Sequence, residues 1–263
     1  MPYANNNGVK IYYEVEGQGP PLILVHGATR SGSFWRESGY SNALKGDYRL
    51  VMMDVRGHGR SDKPHDPSAY GSAMASDVIA VLDDAKINKA HYYGYSLGGG
   101  LGFWLATSDH DRFHSFILGG INPYPTSEAQ VKENEAAMAR AKLQIEDPDA
   151  FLLTLEQNVL RRPLTADERR SALAVDGHAM LALMTASKTR TTYSNSDLSR
   201  IRVPCLLYCG DLDPSFERAR ESTNHIPSAE FVSLPGLAHG PAMMRSDLVL
   251  PHVKEFLAKA GKT

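Results

Sequence analysis

The residues with the clearest capacity for chemistry are Gly94-Tyr95-Ser96-Leu97-Gly98, a G-x-S-x-G arrangement between an apolar run and the helix-forming stretch Gly99 to Ala106. A serine on so sharp a strand-to-helix turn is held in strained backbone geometry, with its hydroxyl projecting above the sheet edge. Strand and helix approach closely two residues to either side, where only a small residue fits; hence Gly94 and Gly98. Ser96 therefore reads as a nucleophile. At neutral pH its hydroxyl needs a base to take the proton, and the base needs an acid to orient it. On this kind of turn they follow in the order Ser, Asp, His. Tyr208-Cys-Gly-Asp-Leu-Asp-Pro214 offers two carboxylates, Asp211 and Asp213, and Leu234-Pro-Gly-Leu-Ala-His239-Gly240 offers one histidine. Acyl transfer also puts negative charge on the former carbonyl oxygen. The N–H of Leu97, at a helix N-terminus, is one donor placed to meet it.

Such chemistry needs elements that bring distant loops to one edge. Val9 to Val15 alternates like a strand, and Asn5-Asn6-Asn7-Gly8 before it suits a hairpin turn. Compact apolar runs follow at 21–25, 49–54, 91–94, 116–119, 205–209 and 231–234. Their lack of clean alternation suits strands buried on both faces, as in a parallel sheet. Met74, Val78, Val81, Leu82 and Ala85 share one helix face, as do Leu250, Val253, Leu257 and Ala260. The pattern predicts an α/β fold: a mostly parallel eight-stranded sheet flanked by helices.

From about Pro125 to Asp197 only helix signals occur. Ser127 to Ile145 is rich in Ala, Glu, Lys and Gln, Thr165-Ala-Asp-Glu168 is a capping box, and Asp176 to Ser187 reads as a further helix. The expected organisation is a core of residues 1–124 and 198–263, with a helical cap of residues 125–197 inserted after the sixth strand. The substrate pocket belongs between cap and sheet edge. Trp35, Tyr95, Met180, Met184 and Met243 are candidates for its lining, although a methionine on a helix face also suits a core.

The chain has 263 residues, with 28 Lys+Arg against 30 Asp+Glu and a net charge of −2. This balance argues against nucleic acid or anionic membrane as a partner, since either calls for a basic face. It suits an uncharged substrate, which needs no long-range field. No apolar run reaches the ~18 residues needed to span a bilayer, and the first residues lack the charge and apolar stretch of a signal peptide. Cys205 and Cys209 lie four strand steps apart, about 13 Å and beyond the ~7 Å reach of a disulfide. Two buried thiols suit a reducing compartment, so a cytoplasmic location is expected.

Together these residues resemble the α/β-hydrolase superfamily, and within it the capped serine hydrolases that include esterases, lactonases and carbon–carbon bond hydrolases. The resemblance extends to His26-Gly27 after the first parallel strand, Asp54-Val-Arg-Gly-His-Gly-Arg-Ser-Asp-Lys-Pro64 after the next, Gly210-x-x-Asp213 and Gly236-x-x-His239. It implies that Asp213 is the acid and His239 the base, with Asp211 as a turn carboxylate. It also implies that the N–H of Ala28 is the second oxyanion donor. The implied function is hydrolysis of a small, largely apolar carboxylic ester or lactone through an acyl-enzyme, with no cofactor and no metal. Relatives with an aspartate nucleophile are disfavoured because position 96 is serine. Carbon–carbon hydrolysis is the alternative on the same triad. It is weakened because Gly240, and not the tryptophan often seen in those enzymes, follows His239. A ligand receptor or non-hydrolytic lyase on this scaffold is the alternative outside hydrolases.

Other motifs read as structural. His110-Asp-Arg-Phe-His114 has the spacing of a zinc helix but Asp in place of the Glu base, and too little room for a helix. Glycines 98, 99, 100 and 102 do not complete a nucleotide-binding loop, because position 103 is Phe. His26 and His58 are expected to shape loops. Arg161-Arg162 and Arg169-Arg170 suit a solvated helix face.

Overall fold

In the computed structural model, which describes residues 2–187 and 192–261, Asn7 and Gly8 both have positive φ, 51° and 88°. This is the geometry of a two-residue hairpin turn, and it joins β1 (Tyr3–Asn6) to β2 (Val9–Glu16). Beyond them β3 (Pro21–Val25), β4 (Arg49–Met53), β5 (Ala90–Tyr95), β6 (Phe113–Gly119), β7 (Cys205–Gly210) and β8 (Ala229–Leu234) pair in parallel. The sheet order is β1-β2-β4-β3-β5-β6-β7-β8 among the described residues, a mostly parallel eight-stranded sheet as expected. The largest boundary difference is in β6, which begins at Phe113 and not at Phe116. Exposed His114 sits between buried Phe113 and Ser115, so the start of the strand does not read as an apolar run.

Successive residues of β3 feed opposite cores, because strand side chains alternate between faces. Leu22 and Leu24 pack with α1 (Phe34–Glu37) and α2 (Tyr40–Leu44), while Ile23 and Val25 face α3 (Ser72–Asp84) and α4 (Leu97–Ser108). Between β6 and β7 the described chain is helical. It forms α5 (Glu128–Glu146), α6 (Pro148–Thr154), a π-helical turn (Leu155–Leu160), α7 (Ala166–Leu173), α8 (Gly177–Ser187) and α9 (Asn195–Leu198). Residues 188–191 of this stretch lie outside the described residues. Capping boxes start α5, α7 and α9, the one at Thr165 and Glu168 included. The chain ends with α10 (Phe216–Thr223) after β7, then α11 (His239–Met244) and α12 (Ser246–Ala260) after β8. Among the described residues no helix is long and apolar enough to cross a membrane.

Sheet order determines where loops converge. The chain moves from β3 outward to β4 and then returns to place β5 on the other side of β3. At such a switch point the connections leave in opposite directions and open a crevice at the carboxyl ends of the strands. His26-Gly27-Ala28 leaves β3 there and Ser96 leaves β5.

The loop after β4 is fixed by a buried ion pair. Arg56 donates from Nε to Asp77 Oδ2 at 2.6 Å and from a terminal nitrogen to Asp77 Oδ1 at 2.5 Å, tying the loop to α3. Asn6 Nδ2 also donates to Asp77, at 2.8 Å. Both charged groups are buried, so removing one partner leaves the other uncompensated. Arg56→Met is expected to cost about 3–5 kcal/mol of stability, read as a lower urea midpoint. A midpoint equal to wild type would show that the pair does not hold the loop.

Candidate active site

Ser96 occupies the turn between β5 and α4 with φ 52° and ψ −108°, a conformation that side-chain-bearing residues rarely adopt. Neighbouring backbone imposes it. The Ser96 N–H donates to Gly119 O of β6 at 2.8 Å, and its carbonyl accepts from Gly100 N at 2.9 Å. A β-carbon at Gly98 would collide with the Val25 carbonyl, and one at Gly94 with the Gly98 carbonyl. The two glycines are therefore the condition for bringing β3, β5 and α4 this close.

His239 Nε2 lies 2.9 Å from Ser96 Oγ, and its Nδ1 lies 2.6 Å from Asp213 Oδ2. Nδ1–H donates to the carboxylate, leaving Nε2 as acceptor for the serine hydroxyl. The second Asp213 oxygen accepts from Ser215 N at 2.8 Å. Asp211 does a different job: its Oδ1 accepts from Gly236 N at 2.7 Å, joining the β7 and β8 loops. Burial pushes the Asp213 carboxyl up, but the hydrogen bond and charge of His239, with the Ser215 N–H, outweigh it and hold it below its ordinary value. Burial pushes His239 down, yet the Asp213 hydrogen bond and charge bring it above the usual 6.5. The environment thus favours the ion pair that a proton-accepting histidine would form.

Ala28 and Leu97 flank the serine. A β-carbon at Gly27 would stand 3.3 Å from Ser96 Cβ, so the residue preceding Ala28 is packed directly on the serine. Leu97 is the first residue of α4. Among the described residues neither N–H donates to a protein acceptor.

The five residues considered for the pocket are dispersed. Tyr95 is beside the site: its hydroxyl donates to His239 O at 2.6 Å and its ring centroid lies 5.3 Å from the imidazole. Met243 Sδ would be 3.8 Å from a β-carbon on Gly27. Trp35 is instead a core residue, 1% exposed and packed on Tyr93 at 4.8 Å and Tyr40 at 5.3 Å. Met180 is buried in the core cluster that also holds α3 and α4 side chains, and Met184 is half-buried on α8. An apolar side chain satisfies core and pocket wall by the same burial, so residue type alone does not separate the two.

The remaining candidates have structural partners. His26 Nε2 accepts from Val55 N at 3.0 Å and its Nδ1 donates to Gly27 O at 2.7 Å, while burial pushes its pKa down to about 4. His110 lies in a short 3-10 turn and His114 in β6, so they share no helix face. Arg162 and Arg169 pair with Glu168 and Glu156. One contact had no sequence signal. Gln130 Nε2 of α5 donates to Ser215 Oγ at 3.0 Å, linking the helical insertion to the loop of Asp213 across 85 residues of chain.

Residues 20–137 match the family model described as the alpha/beta hydrolase fold. The chain is 33% identical over 150 residues to an esterase, YbfF, of Escherichia coli (strain K12), covering 51% of this chain and 58% of that protein. It is 30% identical over 117 residues to 3-oxoadipate enol-lactonase 1 of Acinetobacter baylyi, covering 44% and 42% of the two chains. These alignments thus span about half the length of each relative. The crystal structure of an enol-lactonase from Burkholderia xenovorans LB400 superposes with a TM-score of 0.80 at 26% identity, covering 98% of this chain and all of that one. Sheet order, elbow and relatives agree: the chain has the alpha/beta hydrolase fold and is similar to esterases and lactonases built on it.

Proposed function

We propose that the protein is a serine hydrolase that cleaves small carboxylic esters or lactones through a Ser96–His239–Asp213 triad. The observation that carries this reading is the continuous hydrogen-bond chain from Ser96 Oγ through both ring nitrogens of His239 to Asp213. Ser96 Oγ attacks the carbonyl carbon while Nε2 of His239 takes its proton, and Asp213 holds the imidazole in the required tautomer and stabilises the imidazolium. The oxyanion is met by the N–H groups of Ala28 and Leu97, each such donor contributing about 10²–10³ in turnover. Collapse of the tetrahedral species breaks the bond to the leaving oxygen, which takes the proton from His239. Water then gives its proton to His239 and attacks the acyl-enzyme, releasing acid and free Ser96.

The helices of residues 125–197 act as a cap in this reading, supported by the Gln130–Ser215 bond. Exposed Leu212, adjacent to Asp213, and exposed Met244, at the end of the helix that His239 begins, suit an apolar acyl portion. The two buried free thiols support a cytoplasmic location. Incubation with a serine-directed alkyl fluorophosphonate should give one covalent adduct, located to Ser96 by peptide mass mapping. Absence of an adduct, in protein shown to be folded, would sink the triad reading.

A further inference from the structure

Three helices of the insertion begin with capping boxes, and the one at α5 differs in chemistry. Those of α7 and α9 are closed by carboxylates, Glu168 and Asp197, which only accept. At α5 the closing group is the amide of Gln130. Its Oε1 accepts from Ser127 N at 3.0 Å, which fixes the amide's orientation and leaves Nε2 to donate elsewhere. That donor goes to Ser215 Oγ at 3.0 Å. A carboxylate would close the same box but bring no N–H to Ser215.

Ser215 is 4% exposed and stands at the start of α10, where its side chain caps no backbone N–H. Its main-chain N–H donates at 2.8 Å to the Asp213 oxygen that His239 does not use. The inner side of this turn is held by the sheet. Leu212 N donates to Leu237 O at 3.1 Å, and Asp213 N to Gly210 O at 3.0 Å. The outer side is held by the insertion. Beside the Gln130 bond, Arg218 of α10 donates to the carbonyl of Pro125, just before α5. Tyr193 N donates to Pro123 O at 3.1 Å, so the two ends of the insertion are joined there as well.

The same helix acts on the triad by charge. Burial pushes His239 down, and the carboxylates opposing it are those of Asp213 and of Glu133, one turn beyond Gln130. Three and four positions from Glu133 stand Ala129, Gln130, Ala136 and Ala137, so no cation on its own helix face neutralises it. One element of the insertion thus bears on both the acid and the base.

We propose that Gln130 is a positioning residue for the triad, holding the Asp213 carboxylate in line with His239 through Ser215. The inference rests on the serine-hydrolase reading and goes beyond it, because it makes the seating of the helical insertion a condition for turnover. A carboxylate that shifts with its turn loosens its hold on the imidazole, and a misplacement of ~1 Å at such a group costs about 10² in rate. Asp213 touches the imidazole and not the substrate, so the loss falls on kcat and leaves KM in place.

The test measures p-nitrophenyl butyrate hydrolysis by the full chain and its variants. Ser215→Ala removes the acceptor while keeping the N–H to Asp213 and the α5 capping box. Gln130→Met removes the donor and the box together. Each is expected to lower kcat about tenfold, with KM within about twofold of wild type. The double variant should lose no more than Gln130→Met alone, since both substitutions break one contact. Ser215→Ala keeps the test valid if Gln130→Met destabilises α5. Wild-type kcat in Ser215→Ala, losses that multiply to about a hundredfold in the double variant, or a change confined to KM would each overturn the positioning role while leaving the triad intact. Wild type that neither hydrolyses the ester nor forms the fluorophosphonate adduct would instead overturn the serine-hydrolase reading.

Discussion

Ser96→Ala is expected to lower kcat for ester hydrolysis by about 10⁵–10⁶, to the residual level that oxyanion donors and binding provide alone. The size follows from the nucleophile being lost while its surroundings stay in place. His239 and Asp213 keep their mutual hydrogen bond, and the backbone bonds at Gly119 and Gly100 do not involve the hydroxyl. Circular dichroism and thermal melting should therefore match wild type, separating loss of chemistry from loss of fold. A Ser96→Gly companion should melt higher, since glycine accepts φ 52° without the roughly 1–3 kcal/mol of strain a side-chain-bearing residue stores there. Wild-type turnover in Ser96→Ala would remove Ser96 as the nucleophile.

Asp213→Asn should cost about 10⁴ in kcat, because an amide presents its N–H₂ where His239 Nδ1–H needs an acceptor, and the tautomer is lost. A pH–rate profile carries a second signature. His239 must be neutral to accept the serine proton, so activity falls on the acid side as the ring protonates. In wild type the Asp213 hydrogen bond and charge hold that pKa above 6.5, and the acid limb should lie above 6.5 correspondingly. Without the carboxylate, burial acts with less opposition and the limb should move to lower pH. The same pair contributes to stability from both sides. The lowered pKa of Asp213 stabilises the fold above its unfolded value, a contribution lost as pH falls through the folded value. The raised pKa of His239 stabilises it below 6.5, and that contribution is lost as pH rises through the folded value. An acid limb unmoved in Asp213→Asn would show that Asp213 does not set the ring's charge.

The site was legible where chemistry imposes a residue type at a fixed backbone position. Gly94 and Gly98 are forced by the Gly98 and Val25 carbonyls beside them, so the elbow is visible without a structure. The strands were legible because their apolar runs are compact and lack alternation, as burial on both faces requires, and β6 starts before its apolar run because His114 faces outward there. The choice between Asp211 and Asp213 came from resemblance; the structure separates them by partner, Gly236 N for one and His239 for the other. Trp35 could not be placed, since an aromatic core layer and a pocket wall select the same side chain. Contacts such as Gln130 with Ser215 had no local signature, because either residue alone reads as an ordinary polar surface position.

The serine and histidine that meet at 2.9 Å are separated by 143 residues of chain, with the helices between β6 and β7 synthesised in the interval. Turnover would therefore report on a non-local folding event, the pairing of elements far apart in the chain. On refolding from denaturant, helical signal should return early and enzymatic turnover last, when β7 and β8 join the sheet. Turnover in such an experiment is a clock for the completion of the sheet.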